Sequence, residues 1–176
     1  MNSRVRTVAF SLIVIAAFAG ACELYPVLGL GADSAGAVFV TQMPRGYRDW
    51  KFISVAHEEG NLHSFSGVLG NDIAIKAYRN ATIPFPDGSV IAALHWQFVS
   101  SEANDQVFGQ PQSFVPGKQT NTQFMIKDSK KYAATGGWGF GHFNADGTVG
   151  SNTLMKTCFP CHQRAARDFV FTQYAP

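Results

Sequence analysis

A Cys-x-x-Cys-His run near the carboxyl end constrains this chain more than any other feature of its sequence. It contains Cys158, Cys161 and His162, with Pro160 between the two cysteines. This spacing is the signature of covalent c-type haem attachment. Two thiols spaced in this way can form thioethers with the two vinyl groups on one edge of a porphyrin, and the next residue falls beneath the iron. The run therefore predicts one covalently bound haem c, with Cys158 and Cys161 as thioether residues and His162 as axial ligand of the iron.

Two other uses of a Cys-x-x-Cys pair compete with this interpretation. Redox disulfides have the same spacing, but they usually lie at a helix start in a thioredoxin-like βαβ context, which this sequence lacks. A zinc site needs about four nitrogen or sulfur ligands, and the chain has no second Cys-x-x-Cys and no His-x-x-x-His. Both alternatives are weaker than covalent haem.

The first residues have the pattern of an export signal. Arg4 and Arg6 form a positive region, and the apolar run at 8–19 is too short to span a bilayer comfortably. Small residues follow, so we expect a cleaved signal peptide at 1–22, with an uncleaved anchor as the alternative. Cys22 matches a bacterial lipobox poorly, and a lipid anchor on it is a further possibility. Export predicts a periplasmic or secreted protein, which agrees with haem c attachment outside the cytoplasm.

The rest of the chain has the length of one domain. We expect a loose tether at 23–43 and a single mono-haem domain at 44–176. With two cysteines assigned to haem, no structural disulfide is available within that domain. The formal net charge is only +2 and the basic residues are dispersed, so we expect no nucleic-acid partner.

Hydrophobic patterning predicts an α+β fold dominated by an antiparallel sheet with short helices. Strands are expected at 50–56, 62–68, 89–99, 121–126 and 136–143. Helical segments are expected at 71–79 with Asn71 as N-cap, at 127–134 as a single turn, and at 152–161, where the last helix carries the haem motif. The Pro- and Gly-containing stretch 100–120 is expected to be a loop, and 168–174 to be extended.

Several blocks of the domain resemble one known family, the cytochrome P-460 family, from about Pro44 to the end of the chain. The blocks are Gly46–Trp50, Gly70–Ala74, Pro84–Gly88, Ile126–Lys130, Gly137–Phe140 and Arg167–Thr172. The resemblance implies a β-rich fold, a homodimer and a five-coordinate haem with the motif histidine as its only protein ligand. Some members oxidise hydroxylamine; others, the cytochromes c′-beta, bind nitric oxide and similar small ligands.

Two positions depart from the hydroxylamine-oxidising branch. Members of that branch carry a lysine that cross-links to the porphyrin edge, five residues after the glycine of the Asp-Gly turn. Counting from Gly88, that position is Ala93, which cannot make the bond. Some of these members also carry a carboxylate close to the position of Gln123, and an amide cannot accept a proton in the same way.

Other residues come into question as ligands on the far side of the haem. On a strand, His95 is in phase with Ala93, so both side chains face one way and both are candidates for the haem face. A hydrogen-bonded histidine at the rim of the sheet is the preferred interpretation of His95. His142 is a weaker candidate, and Met43, Met125 and Met155 fit core packing better than ligation.

The sequence thus predicts a mono-haem c-type cytochrome with an open, five-coordinate site. We expect it to bind or process small nitrogen-oxide ligands such as nitric oxide, and to exchange electrons with a redox partner protein. An enzyme that oxidises hydroxylamine is the second hypothesis. A plain electron carrier with six-coordinate iron is the third.

Overall fold

The computed structural model describes residues 39–175, in which an antiparallel sheet dominates. The strands are β1 (Lys51–Glu58), β2 (Ser64–Gly70), β3 (Val90–Ser100), β4 (Phe114–Lys127) and β5 (Trp138–Asn144). The helices are α1 (Asp72–Arg79), α2 (Glu102–Phe108), α3 (Asn152–Met155) and α4 (Cys158–His162), with 3-10 turns at Tyr47–Asp49 and Ala133–Thr135. The predicted β-dominated class with short helices is confirmed. The signal peptide expected at 1–22 lies outside the described residues.

The five strands form a meander in which each strand pairs antiparallel with the next one in the chain. The central strand β3 pairs with β2 on one side and β4 on the other. The register places Val68, Ala93, Gln123 and His142 side by side in a row across four strands. The side chains of such a row point to one face of the sheet. Ala93, which was predicted to face the cofactor, therefore lies between Val68 and Gln123 on that face.

Each face of the sheet carries its own hydrophobic core, because successive residues of a strand point to opposite faces. The first face packs against α1, α4 and the C-terminal segment, and includes Ile91, Met125 and Phe140. The second face packs around Phe124 and Phe143 and is covered in part by Tyr132. Helix α4 packs on the first face, where Cys158 contacts the core. None of the described helices is long and apolar enough to cross a membrane.

Asn71 caps α1, as the sequence predicted, and also attaches the helix to the sheet. Its side-chain oxygen accepts hydrogen bonds from the backbone N–H of Ala74 at 3.0 Å and of Val90 at 3.1 Å. Its amide nitrogen donates to the carbonyl of Gly88 at 2.8 Å. One side chain thereby fixes the start of α1 against the start of β3.

The prediction of a loop at 100–120 is wrong in two places, because the segment contains a helix and the start of a strand. Helix α2 begins there with Ser101 as its N-cap, and the Asp105 carboxylate accepts from the backbone N–H of Gln112 and Ser113, which turns the chain back. Strand β4 then starts at Phe114 and tolerates Pro116 because the β3–β4 ladder is irregular there. A proline is compatible with a strand where no ladder hydrogen bond is needed from it.

The C-terminal helical region predicted at 152–161 is confirmed, and it is divided into α3, which ends at Met155, and α4, which starts at Cys158. In a continuous helix Pro160 would have to donate a backbone hydrogen bond to Lys156, and its ring would collide with that carbonyl. With α4 starting at Cys158, Pro160 falls in the first helical turn, where no N–H is required. The break thus sets where the helix of the motif begins.

Candidate functional site

Helix α4 holds the three motif residues close to one another. Positions i, i+3 and i+4 are neighbours on a helix surface, which groups Cys158, Cys161 and His162. Cys158 is half-buried and Cys161 is exposed, and neither is in a disulfide. Burial is the main cause that raises the pKa of the Cys158 thiol. Redox Cys-x-x-Cys pairs have a lowered thiol pKa instead.

The imidazole of His162 is held by a backbone carbonyl. Its Nδ1 lies 2.8 Å from the oxygen of Phe169, and its ring lies 5.1 Å from the rings of both Phe140 and Phe171. A carbonyl can only accept, so Nδ1 carries the proton and Nε2 carries the lone pair. Burial is the larger effect on the pKa of His162 and lowers it, against the opposing hydrogen bond to Phe169. A neutral imidazole with a free Nε2 is the form that ligates a metal.

A mostly apolar cavity lies between α4, the first face of the sheet and the C-terminal segment. Its lining comprises Ile91, Ala93, Gln123, Phe124, Met125, Phe140, Gly141, Cys158, His162, Val170, Phe171 and Thr172. Two of the three motif residues therefore face the cavity that also receives Ala93 of β3. Gln123 lies directly opposite Ala93 in the β3–β4 register and donates to Asn121 Oδ1 at 3.1 Å.

These residues fit a haem in their chemistry. Two thiols, a fixed imidazole and aromatic walls form the donor set and surroundings of a c-type haem. The cavity encloses about 70 Å³, which is smaller than a porphyrin. The match to a haem therefore lies in the type of donor atoms and in the apolar lining, and not in the volume. Within 39–175 no cluster of three or more His, Cys, Asp or Glu side chains is arranged to hold a metal ion directly. A structural zinc site, which takes about four such ligands, has no ligand set there.

The other residues predicted for the haem face divide into two groups. Ala93 lines the cavity, whereas His95 and His142 do not. His95 is 8% exposed, its Nδ1 lies 4.0 Å from Glu58 Oε2, and its Nε2 has no hydrogen-bond partner among the described residues. Burial is the main cause that lowers the pKa of His95. At 4.0 Å the contact with Glu58 is longer than a hydrogen bond, so the hydrogen-bonded rim histidine that the sequence favoured stays a prediction. Met125 lines the cavity, and Met155 is buried away from it.

Sequence reasoning missed the contacts that hold the C-terminal segment. Residues 168–174 were expected to be extended, but Asp168 and Phe169 have φ of +50° and +64°, in the left-handed region. The Asp168 carboxylate contacts Lys127 Nζ at 2.9 Å through both oxygens. A backbone carbonyl such as that of Phe169 has no signature in a sequence. The only available signal was that Lys127 and Asp168 each belong to one of the blocks shared with the family.

Comparison with known proteins identifies the family to which these residues belong. The family model for cytochrome P460 matches residues 44–172. This range contains every residue that lines the cavity. No curated protein matches the chain.

Proposed function

Because the chain belongs to the cytochrome P460 family, we propose that it is a mono-haem c-type cytochrome. Family membership implies a haem cofactor. We assign covalent attachment to Cys158 and Cys161 and axial ligation to His162. The observation that carries the assignment is the fixed imidazole, whose Nδ1 is engaged by Phe169 and whose ring lines the same cavity as Cys158.

When bound, haem supplies an iron that changes oxidation state and binds small ligands. The chain's own residues set the conditions for that chemistry. His162 is held in one orientation by the Phe169 carbonyl, and Phe140 and Ile91 contribute apolar walls that limit water. Gln123 supplies a polar group at the cavity, and its amide is anchored by Asn121.

The ligand that we propose is a small nitrogen oxide, with nitric oxide the first candidate. Ala93 supports this choice, because it lines the cavity at the position where hydroxylamine-oxidising relatives carry the cross-linking lysine. No lysine is among the described residues that line the cavity. Lys127, on the same strand as Gln123, is engaged by Asp168. If the protein also turns over its ligand, we propose that it is an oxidoreductase acting on hydroxylamine or nitric oxide.

An electron carrier with six-coordinate iron is the second candidate, and Met125 is the observation in its favour. Its side chain lines the cavity, and a thioether is a known sixth ligand of haem iron. Met125 also packs into the first core beside Phe140 and Trp138. That packing explains the position of the Met125 side chain without requiring it to bind iron.

We further propose that the protein is exported to the periplasm, works as a homodimer and exchanges electrons with a partner protein. Export is proposed from the sequence pattern at 1–22, with a lipid anchor at Cys22 as its variant. The homodimer is proposed from the family resemblance. Mass spectrometry of the mature chain tests the first, and light scattering of the holoprotein tests the second. An intact Met1 or a monomer contradicts the respective proposal.

The haem assignment is tested by acid–acetone extraction and optical spectra of protein from a host that matures c-type haem. We expect haem to stay on the polypeptide, and Cys158→Ala or Cys161→Ala to weaken its attachment. His162→Ala is expected to remove the axial ligand while both thiols remain. Complete extraction of haem from the unaltered protein contradicts the assignment.

The open site is tested by electron paramagnetic resonance of the ferric form and by titration of the ferrous form with nitric oxide. We expect a high-spin signal, ready binding of nitric oxide, little hydroxylamine oxidation and no strongly red-shifted Soret band. A purely low-spin signal across neutral pH supports the six-coordinate carrier. A porphyrin–lysine adduct in a tryptic digest supports the hydroxylamine oxidase.

A further inference from the structure

A buried ion pair lies beside the segment that holds His162. Lys127 is the last residue of β4. Asp168 lies 41 positions further along the chain, after the motif helix α4. Their side chains are 7% and 8% exposed. A buried pair of charges is favourable only when its remaining hydrogen-bonding groups also find partners. The contacts of each side chain therefore decide whether the pair orders the segment.

Both members of the Lys127–Asp168 pair are fully engaged. The ammonium of Lys127 contacts both carboxylate oxygens at 2.9 Å and the carbonyl of Gly136 at 3.1 Å, which matches its three N–H donors. It also lies 5.0 Å from the centre of the Trp138 ring. The Asp168 carboxylate accepts a further hydrogen bond, at 2.8 Å, from the backbone N–H of Phe85.

These contacts hold a backbone conformation that is unfavourable in isolation. Two consecutive residues with side chains, Asp168 and Phe169, lie in the left-handed region, where a Cβ crowds the neighbouring carbonyl. Such a turn persists only when its surroundings fix it. The carboxylate is fixed by Lys127 and Phe85. The Phe169 ring packs over Gly136, where an added Cβ would lie 2.1 Å from it.

The turn at Asp168 and Phe169 sets the position of the Phe169 carbonyl. This carbonyl accepts a hydrogen bond from Nδ1 of His162. We infer that the Lys127–Asp168 ion pair is a positioning device for the axial histidine, acting through the Phe169 carbonyl. This inference rests on the proposed function, since it concerns the histidine that is assigned to the iron. Lys127 and Asp168 touch neither ligand nor cofactor in this role.

The expected consequence is electronic. A hydrogen bond donated by Nδ1 makes Nε2 a more basic ligand, and a more basic ligand favours the ferric state. Disturbing the turn weakens that bond, so the reduction potential of the iron should rise and the iron–histidine bond should weaken. A direct Coulomb effect behaves differently, because loss of a nearby cation lowers the potential and loss of a nearby anion raises it.

The test compares Lys127→Met and Asp168→Asn in the holoprotein, since these changes remove charges of opposite sign. We expect both variants to raise the reduction potential, and both to lower the iron–histidine stretching frequency in resonance Raman spectra of the ferrous form. Asp168→Asn retains an oxygen for the Phe85 N–H. If Lys127→Met does not accumulate, the stretching frequency of Asp168→Asn decides alone, because a Coulomb effect also predicts a higher potential for that variant but leaves the frequency unchanged. The matched controls are Lys51→Met and Asp72→Asn, which break an exposed Lys–Asp pair and should change neither quantity.

Potential shifts of opposite sign with an unchanged stretching frequency would overturn the inference in favour of a Coulomb effect. Lower thermal stability with both readouts unchanged would overturn it in favour of a purely structural pair. Either result leaves the haem assignment standing. If the unaltered protein shows no iron–histidine band, the proposed function fails and the inference fails with it.

Discussion

Replacing Asn71 by alanine should destabilise the domain more than loss of a helix cap alone. The helix loses its N-cap, which typically costs about 1 kcal/mol of unfolding free energy. The N–H of Val90 at the start of β3 loses its acceptor as well, for about 1–3 kcal/mol when water cannot replace it. Asn71 is only half-buried, so we take the lower part of that range. Asn71→Ala also removes the hydrogen bond to the Gly88 carbonyl, for about 1 kcal/mol, so the expected total loss is about 3–4 kcal/mol.

Two further variants separate the contributions of the Asn71 side chain. Asn71→Asp keeps the oxygen acceptor and loses only the hydrogen bond to the Gly88 carbonyl, so about 1 kcal/mol is expected. Ser101→Ala removes the exposed cap of α2, whose hydrogen bond to Asn104 N–H is long at 3.4 Å. About 0.5 kcal/mol is expected for that control.

Urea denaturation at constant m-value measures these differences. In a thermal scan each kcal/mol corresponds to about 2–4 °C for a domain of this size, so Asn71→Ala should melt on the order of 10 °C lower. If Asn71→Ala and Ser101→Ala destabilise equally, Asn71 acts as an ordinary cap and the proposed connection between α1 and β3 is refuted.

Three other changes have expected outcomes. Gly136→Ala should destabilise the domain strongly in urea denaturation, because an added Cβ would meet Phe169 at 2.1 Å; Gly147→Ala, also at positive φ but with nothing within 4 Å, should show only the backbone penalty of about 1 kcal/mol. Met125→Leu should leave the ferric paramagnetic resonance spectrum high-spin, and a change from low-spin to high-spin on that substitution would show that Met125 is a ligand. His95 has a folded-state pKa below its ordinary value, so the unfolded chain binds its proton first and stability should fall as pH drops below about 6.5. His95→Gln should reduce that slope, and the lowered pKa values of His142 and His162 should leave part of it in place. The charged neighbour of His95 is the Glu58 carboxylate. An identical slope in the variant would contradict the assignment.

Local patterns predicted the elements that form within a few residues of one another. The aromatic and β-branched run at 89–99 corresponds to β3, and Asn71 was recognisable as a cap from its position before an amphipathic segment. The start of β4 was missed because Pro116 and Gly117 usually interrupt strands, and only the irregular pairing with β3 reveals why they are tolerated. Pro160 could have marked the break between α3 and α4, since the rule that applies there is local.

The residues that would bind haem could be predicted from the sequence. The contacts that hold them in place could not. Cys158, Cys161 and His162 carry their spacing in the sequence, whatever the fold around them. The Phe169 carbonyl is a backbone group, and its position depends on an ion pair between residues 41 positions apart. Neither of those contacts produces a periodic or local pattern, and both require the sheet to bring the end of β4 to the C-terminal segment.

The two positions that distinguish the chain from the hydroxylamine-oxidising branch, in the resemblance described above, are neighbours in the sheet. Ala93 and Gln123 lie opposite each other on β3 and β4 and line the same apolar cavity. A carboxylate at position 123 would be costly to bury there without a polar or charged partner, and a lysine at position 93 would place an amine directly across the ladder from it. An alanine at 93 removes that partner, and an amide at 123 carries no charge and is satisfied by Asn121 at 3.1 Å. The proposal of a nitric-oxide-binding site depends chiefly on Ala93.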